Sequence, residues 1–398
     1  MIFAQHGFGK GQKIERGLQE GRIRGVILSP RDEDPQRLRE YVASLREEFG
    51  DDIGILFDPQ FYASTLLQAR DGHLSEYGYY RRGLTRANFL TAEHIRQFAS
   101  SAVNYQASLP LSGIISPTIL LEDFGNAWSQ IALSLAMESI NEHAKLVAAP
   151  PLYVSLVAEE NALRNKDSLG ELLDIISLWE MVAGFYVIVR PNDLSYPSLM
   201  QSDALSNLMY LVYALSLNGF DVVCGYSDLV GILLQAVGAR VAGSGWYSSL
   251  RQFSLSRFQP AKGGRAPRPR YTSSGLLNSV LVIPELDAIY QAGFAEDVLS
   301  RSSYDGAMYR GPAGALAGWN PEMSCMHHWE VIDALSARLS GEGSVGGNLD
   351  ALESAIDTSL TLYRAILGSG IVFEAASGPR NLPAWRDGIQ AFRAEAGI

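Results

Sequence analysis

Cysteine is scarce in this chain: two in 398 residues, Cys224 and Cys325. Two thiols cannot build the disulfide framework on which small secreted folds rely, and they suit a reducing, cytoplasmic setting. Long apolar runs are missing as well. The most apolar stretch, Leu208 to Leu217, is about half of the roughly 20 residues a membrane-spanning helix needs, and reads as a buried helix. No membrane contact is expected. Gln5 and His6 come soon after Met1-Ile2-Phe3, without the charged-then-apolar pattern of a secretory leader. Basic charge is in the minority: 32 Lys and Arg against 43 Asp and Glu leave a net charge of −11. That balance disfavours non-specific adhesion to nucleic acid but leaves room for a local basic groove. Neither a dinucleotide fingerprint nor a G-x-S-x-G nucleophile elbow is present. A flavin or pyridoxal site, held in barrels through diffuse contacts, stays open, and the cofactor is unknown at this level.

The composition itself, 47% hydrophobic and 19% charged, is that of a packed globular protein. Its organising stretch is 219–253. Phe220 to Cys224 is a short run rich in β-formers, closed by Gly225. Leu229, Ile232, Leu233 and Val237 then recur at helical spacing up to Gly238, and Ala239 to Ala242 is a second strand ending in Gly243-Ser244-Gly245. So short a strand–helix–strand passage returns the chain parallel, by a right-handed crossover. The same alternation holds from the start, with strands beginning near Ile2, Gly25, Ile53, Gly113, Leu152, Phe185, Asp221 and Ala239. Eight β/α units by about residue 257 match the count and length of a (β/α)8 TIM-like barrel; an open doubly wound sheet is the competing reading. Four strands end in a polar residue and a proline: Ser29-Pro30, Asp58-Pro59, Ser116-Pro117 and Arg190-Pro191. The division predicted is a barrel over 1–257, a basic Pro/Gly/Arg-rich linker or loop over 258–275, and a helical extension over 276–398 packed on the barrel. Within it, Leu276 to Tyr290, His327 to Leu339 and Leu349 to Leu367 read as helices. The long connection from Asp58 to Leu90, rich in Tyr and Arg, reads as a lid on the barrel mouth.

Barrel enzymes carry their active sites at the C-terminal ends of the strands, which nominates the residues found there. Asp58 and Glu159 are the carboxylates placed to act as acid, base or nucleophile, and His6 is the candidate for proton transfer. Arg190 and Arg251 have the forked guanidinium that clamps phosphate or carboxylate. Gly243, Ser244 and Gly245 stand before a predicted helix, where backbone N–H groups hold anions in many barrels. Gln60 and Tyr226 complete the ligand-binding set. Cys224 reads as a core residue, and Asp228 as the cap of the following helix. Lys262, Arg265, Arg268 and Arg270, just after Arg257, concentrate positive charge and could meet phosphate groups or nucleic acid. Cys325-Met326-His327-His328 lacks a partner pair at zinc-site spacing, so no metal is predicted.

An anion-friendly barrel mouth with a late basic, tyrosine-bearing segment is loosely similar to the tRNA-guanine transglycosylase superfamily. The resemblance implies strand-end aspartates that hold and exchange a nucleobase, a part open to Asp58. The family's Cys-x-Cys-x-x-Cys zinc motif is absent, and strand eight ends in Gly243-Ser244-Gly245 with no aspartate. The reading carried forward is a transferase or hydrolase acting on an anionic, phosphorylated or nucleotide-like ligand. Its alternative is a catalytically silent barrel that serves as a binding or scaffold subunit, with a protein partner or a second copy of itself.

Overall fold

The computed structural model describes residues 1–398 except 68, 194, 198, 260–267 and 309–318, and the backbone alone at 307 and 308. Strands β1 (Ile2–Gln5), β2 (Gly25–Leu28), β3 (Gly54–Phe57), β4 (Ile114–Ile115), β5 (Leu120–Leu121), β6 (Leu152–Glu159), β7 (Gly184–Arg190), β8 (Asp221–Cys224) and β9 (Val241–Ser244) form one parallel sheet. Their order is β3-β2-β1-β9-β8-β7-β6-β4, with β5 also beside β6. The order is sequential and cyclic, so the sheet is a TIM-like barrel. Each strand starts within about two residues of its expected position.

Two details show how the barrel closes. Its fourth strand is split: Ile114 pairs with Leu152 and Leu120 with Val157 on β6, while Ser116-Pro117 lies between them. Pro117 has no N–H for the ladder, so it interrupts the strand without ending it. The seam between β3 and β4 lacks a ladder and is held by Ser112. Its N–H donates to the Ile55 carbonyl at 2.8 Å and its hydroxyl accepts from the Ile55 N–H at 2.9 Å. The barrel is nearly, not fully, closed. At its floor, Phe3 fills the axis because Gly25 and Gly54 leave room: a Cβ on Gly54 would sit 2.1 Å from the Phe3 ring.

The outer layer is α1 (Lys13–Gln19), α2 (Pro35–Phe49), α3 (Ala92–Ala107), α4 (Ala127–His143), α5 (Glu160–Leu163), α6 (Lys166–Ile176), α7 (Ser202–Leu217), α8 (Val230–Ala236) and the single turn α9 (Ser248–Arg251). Local chemistry places the starts; Asp34, for example, accepts from the N–H groups of Gln36 and Arg37 while Pro35 opens α2. No described helix is long and apolar enough to cross a membrane.

The C-terminal region departs from the expected run of helices. Arg270–Ser273 (β10) and Asn278–Leu281 (β11) pair as an antiparallel hairpin, where a loop and a helix were predicted. Both strands are largely buried, and Tyr271, Thr272 and Val280 favour extended backbone. Helices α10 (Asp287–Gln291), α11 (Ala295–Val298), α12 (Asp305–Met308), α13 (Pro321–Leu339), α14 (Val345–Gly368) and α15 (Asn381–Ala396) follow. α13 begins earlier than its apolar period indicates, because Asn320 caps it and Pro321 fits its first turn. α13 packs on α1, α8 and β1, α14 on α8, and α15 along α7.

Candidate functional site

The strands deliver a dense polar cluster to the C-terminal mouth. At the end of β3, Asp58 is 1% exposed. It accepts from the Gln60 N–H at 3.0 Å, the Tyr62 hydroxyl at 2.8 Å and the Tyr186 hydroxyl at 3.3 Å. Burial pushes its carboxyl up to about 6, against the pull of those donors. Gln60 donates to Ser29, and Ser29 to Asp32; Arg257 donates to Asp32 and to the Tyr226 hydroxyl, both at 2.6 Å. His6 is fully buried at the end of β1. Its Nδ1 accepts from the Ser29 N–H at 3.2 Å, and burial drives its titration down to about 3, so the ring is neutral near pH 7.

The described part of the connection from Asp58 to Leu90 is tied to the loops that carry this cluster. Tyr77 donates to the Glu33 carbonyl and Tyr79 to the Pro59 carbonyl, and the Arg70 N–H reaches the Phe258 carbonyl. Tyr62, Tyr77, Tyr79 and Tyr80 are buried and form part of the core.

A second cluster stands beside the first, at the end of β8. Asp228 Oδ1 accepts from His328 Nε2 at 2.7 Å and from the Ser244 hydroxyl at 2.6 Å, and Oδ2 accepts from the Tyr196 hydroxyl at 2.7 Å. Burial opposes ionisation here, but His328, Arg251 and the Ser244 hydroxyl outweigh it and hold the carboxyl well below the usual range. Nε2 faces the Asp228 carboxylate, which can only accept, so the imidazole carries a proton there, and Thr272 Oγ1 lies 2.7 Å from Nδ1 on its other side. Arg251, also buried, donates to the Gly245 carbonyl and the Tyr196 hydroxyl. Gln60, Tyr226 and Asp228 all hold left-handed backbone, with φ of 51°, 51° and 45°. Such conformations are costly outside glycine and gather where side chains must be aimed.

Two concavities meet at this second cluster. One is a cleft between β7, β8 and α7, walled by Val187, Val189, Met200, Leu208 and Leu234, with Tyr196, Tyr226, Asp228 and Arg251 at its polar end. The other is a groove beyond the end of β9, lined by Arg251, Arg268 and Arg270 with Tyr196, Trp246 and Tyr247. Tyr196 and Arg251 belong to both.

The sequence-predicted residues therefore separate. Asp58, His6, Gln60 and Tyr226 share the first cluster, while Arg251 and Ser244 belong to the second. Glu159 and Arg190, register partners on β6 and β7, form an ion pair on the partly exposed rim and line neither the cleft nor the groove. Gly243 and Gly245 are small for packing: a Cβ on Gly243 would meet Gln5 Oε1 at 3.0 Å, and one on Gly245 would meet Leu250 Cβ at 2.4 Å. Arg268 pairs with Glu374 at an exposed position, and Arg270 donates to the Ser279 carbonyl and the Ser377 hydroxyl. Lys262 and Arg265 lie outside the described residues. Cys224 lines the cleft as a buried thiol, pushed up to about 12 by burial. Among the described residues no three His, Cys, Asp or Glu side chains are placed to hold a metal.

Asp32, Tyr196, Arg257 and His328 are the members that strand-end reasoning misses. Arg257 reads as the edge of a linker, and His328 stands 100 residues from its partner. Asp228, read from sequence as a helix cap, gives its carboxylate to no helix N–H among the described residues: α8 starts two residues on, without a side-chain cap. No protein-family model matches the chain, and no curated protein is significantly similar to it.

Proposed function

We propose that the protein is a barrel enzyme, a transferase or hydrolase, acting on an anionic, nucleotide-like ligand at the C-terminal mouth. The groove beyond β9 carries this reading: Arg251, Arg268 and Arg270 offer guanidinium groups to an anion, and Trp246 and Tyr247 offer faces to a ring. It lies after the last barrel strand, where phosphate sites recur in this architecture. Asp58, at the end of β3 with its carboxyl pushed up to about 6 by burial, is the acid–base candidate, and the reaction would have to open a path to it from the groove.

The test is calorimetric titration with adenosine 5′-monophosphate, coupled to mass-spectrometric detection of hydrolysed or transferred products. Arg268→Ala/Arg270→Ala should weaken binding at least about tenfold, the scale of losing charge-assisted contacts. Asp58→Asn should bind normally and lose turnover. A second reading, a binding subunit without catalysis that holds a partner chain or another copy of itself, is favoured by one observation: every polar contact of Asp58 is internal and the group is sealed. Ligand binding by a wild type that yields no product would favour that second reading.

A further inference from the structure

The cleft and the groove are two halves of one site, and the residues at their junction say what each half takes. Resting on the nucleotide-like reading above, we infer that the ligand's head group enters the apolar cleft and donates a hydrogen bond to Asp228, while Arg251 at the shared wall binds its anionic tail. The ligand class is then a ring-sized, largely apolar head with an N–H donor, joined to an anion.

The cleft walls come from Val187 and Val189 on β7, Leu208 on α7 and Leu234 on α8; they offer apolar contact and no hydrogen bond. Water-sized molecules have about 50 Å³ there, and the empty space with its open rim is about 600 Å³, so a ring-sized head is seated partly at the rim. Polar recognition is confined to one end. There Asp228 Oδ1 already accepts two hydrogen bonds, whereas among the described residues Oδ2 accepts one, from Tyr196, and keeps a lone pair. The group is 5% exposed and lines the cleft, so a donor on the head can complete it. The left-handed backbone at Tyr226 and Asp228 holds both side chains at the cleft wall. Arg251 spends Nε on the Gly245 carbonyl and Nη1 on Tyr196, which among the described residues leaves Nη2 for the tail. Asp228 is thus the carboxylate that touches the ligand, and His328 and Ser244 position it.

Three probes separate the halves in titration calorimetry: adenosine 5′-monophosphate, adenosine, and ribose 5-phosphate. The whole nucleotide should bind at least about tenfold more tightly than either half, since the second half docks without a second association cost. Asp228→Asn, and Val189→Phe, which fills the cleft from a half-buried strand end, should each weaken the nucleotide and adenosine about tenfold and leave ribose 5-phosphate unchanged. Circular dichroism checks that each variant is folded. Hydrogen exchange on the wild type needs no variant: segments 185–193 and 224–234 should be protected by the nucleotide and not by ribose 5-phosphate. Nucleotide binding that is lost in Arg268→Ala/Arg270→Ala but indifferent to both cleft variants, or without protection of those segments, would overturn the inference and leave the proposed function standing. A wild type that binds none of the three probes would overturn the proposed function and the inference with it.

Discussion

Asp58 and the buried histidines pull the stability of this protein in opposite directions as pH falls. The Asp58 carboxyl titrates near 6 when folded against an ordinary 3.8, so the folded state binds its proton more tightly. Its ionisation therefore destabilises the fold progressively as pH rises through about 4 to 6. His6 and His327 titrate near 3 when folded against 6.5, so their contribution is lost as pH drops below 6.5, when the unfolded chain takes up their protons. Asp58→Asn removes only the first term. The difference in unfolding free energy, variant minus wild type, should shift in the variant's favour by up to about 3 kcal/mol between pH 4 and pH 7. Urea unfolding at a series of pH values checks this; a pH-independent difference would mean that Asp58 is not held protonated by burial. At the rim, the Glu159–Arg190 pair is partly solvated. Arg190→Ala should cost under about 1 kcal/mol and lose more of that in high salt.

At the scale of elements, close approach decides which glycines matter. β7 begins at Gly184, where a Cβ would stand 2.0 Å from the Asp221 carbonyl oxygen, the rigid backbone of the neighbouring strand β8. Gly184→Ala should therefore destabilise by at least about 2 kcal/mol, since backbone shifts in a packed core cost on that order. Gly219, in the turn before β8 with φ of 84°, has nothing within 4 Å of a built Cβ, so alanine there meets backbone strain alone, of about 1 kcal/mol. Thermal melts of the two variants compare a spatial clash with a conformational one. The same physics explains what was legible beforehand. Parallel strands buried on both faces read as short apolar runs with Gly or Pro at their ends, and so the eight starts could be placed from residues alone. The β10–β11 hairpin could not, because Ser273 and Ser279 are buried by hydrogen bonds, to the Val298 carbonyl and the Thr272 hydroxyl, that no period announces, and its turn at Leu277 carries no Asn-Gly signal. The clusters at the mouth were half legible. Asp58, Gln60 and Arg251 stand at or beyond strand ends, as the architecture demands. His328 joins Asp228 only because α13 docks on the barrel, a tertiary fact without a local sequence signature.

At the scale of the molecule, that docking makes the C-terminal region part of the barrel. Trp329, fully buried, donates from Nε1 to the Ser244 carbonyl at the end of β9 and lies edge-on to Trp246. Gly17 on α1 is glycine because a Cβ there would stand 2.9 Å from the Trp329 ring. Around this anchor, Ser336 donates to Gln235, Asn348 donates to the Ala236 carbonyl, and α15 covers α7. Removing residues 258–398 would uncover the apolar outer faces of α7 and α8, and leave the buried Ser244 carbonyl and Asp228 carboxylate short of a donor each. Either effect is of the order of several kcal/mol, comparable with the whole stability of a domain of ordinary size. The full chain should consequently melt in one calorimetric transition, and the 1–257 fragment should lack a cooperative one. Trp329→Ala should cost about 3–5 kcal/mol, and Trp329→Phe, which keeps most of the ring contact but loses the hydrogen bond, about 1–2 kcal/mol. Because Trp329 holds the carbonyl of Ser244, whose hydroxyl donates to Asp228, both variants should also weaken ligand binding in the cleft, the alanine more than the phenylalanine. Two separable transitions, or a 1–257 fragment that melts at the temperature of the full chain, would show that barrel and extension are independent folding units joined at a surface.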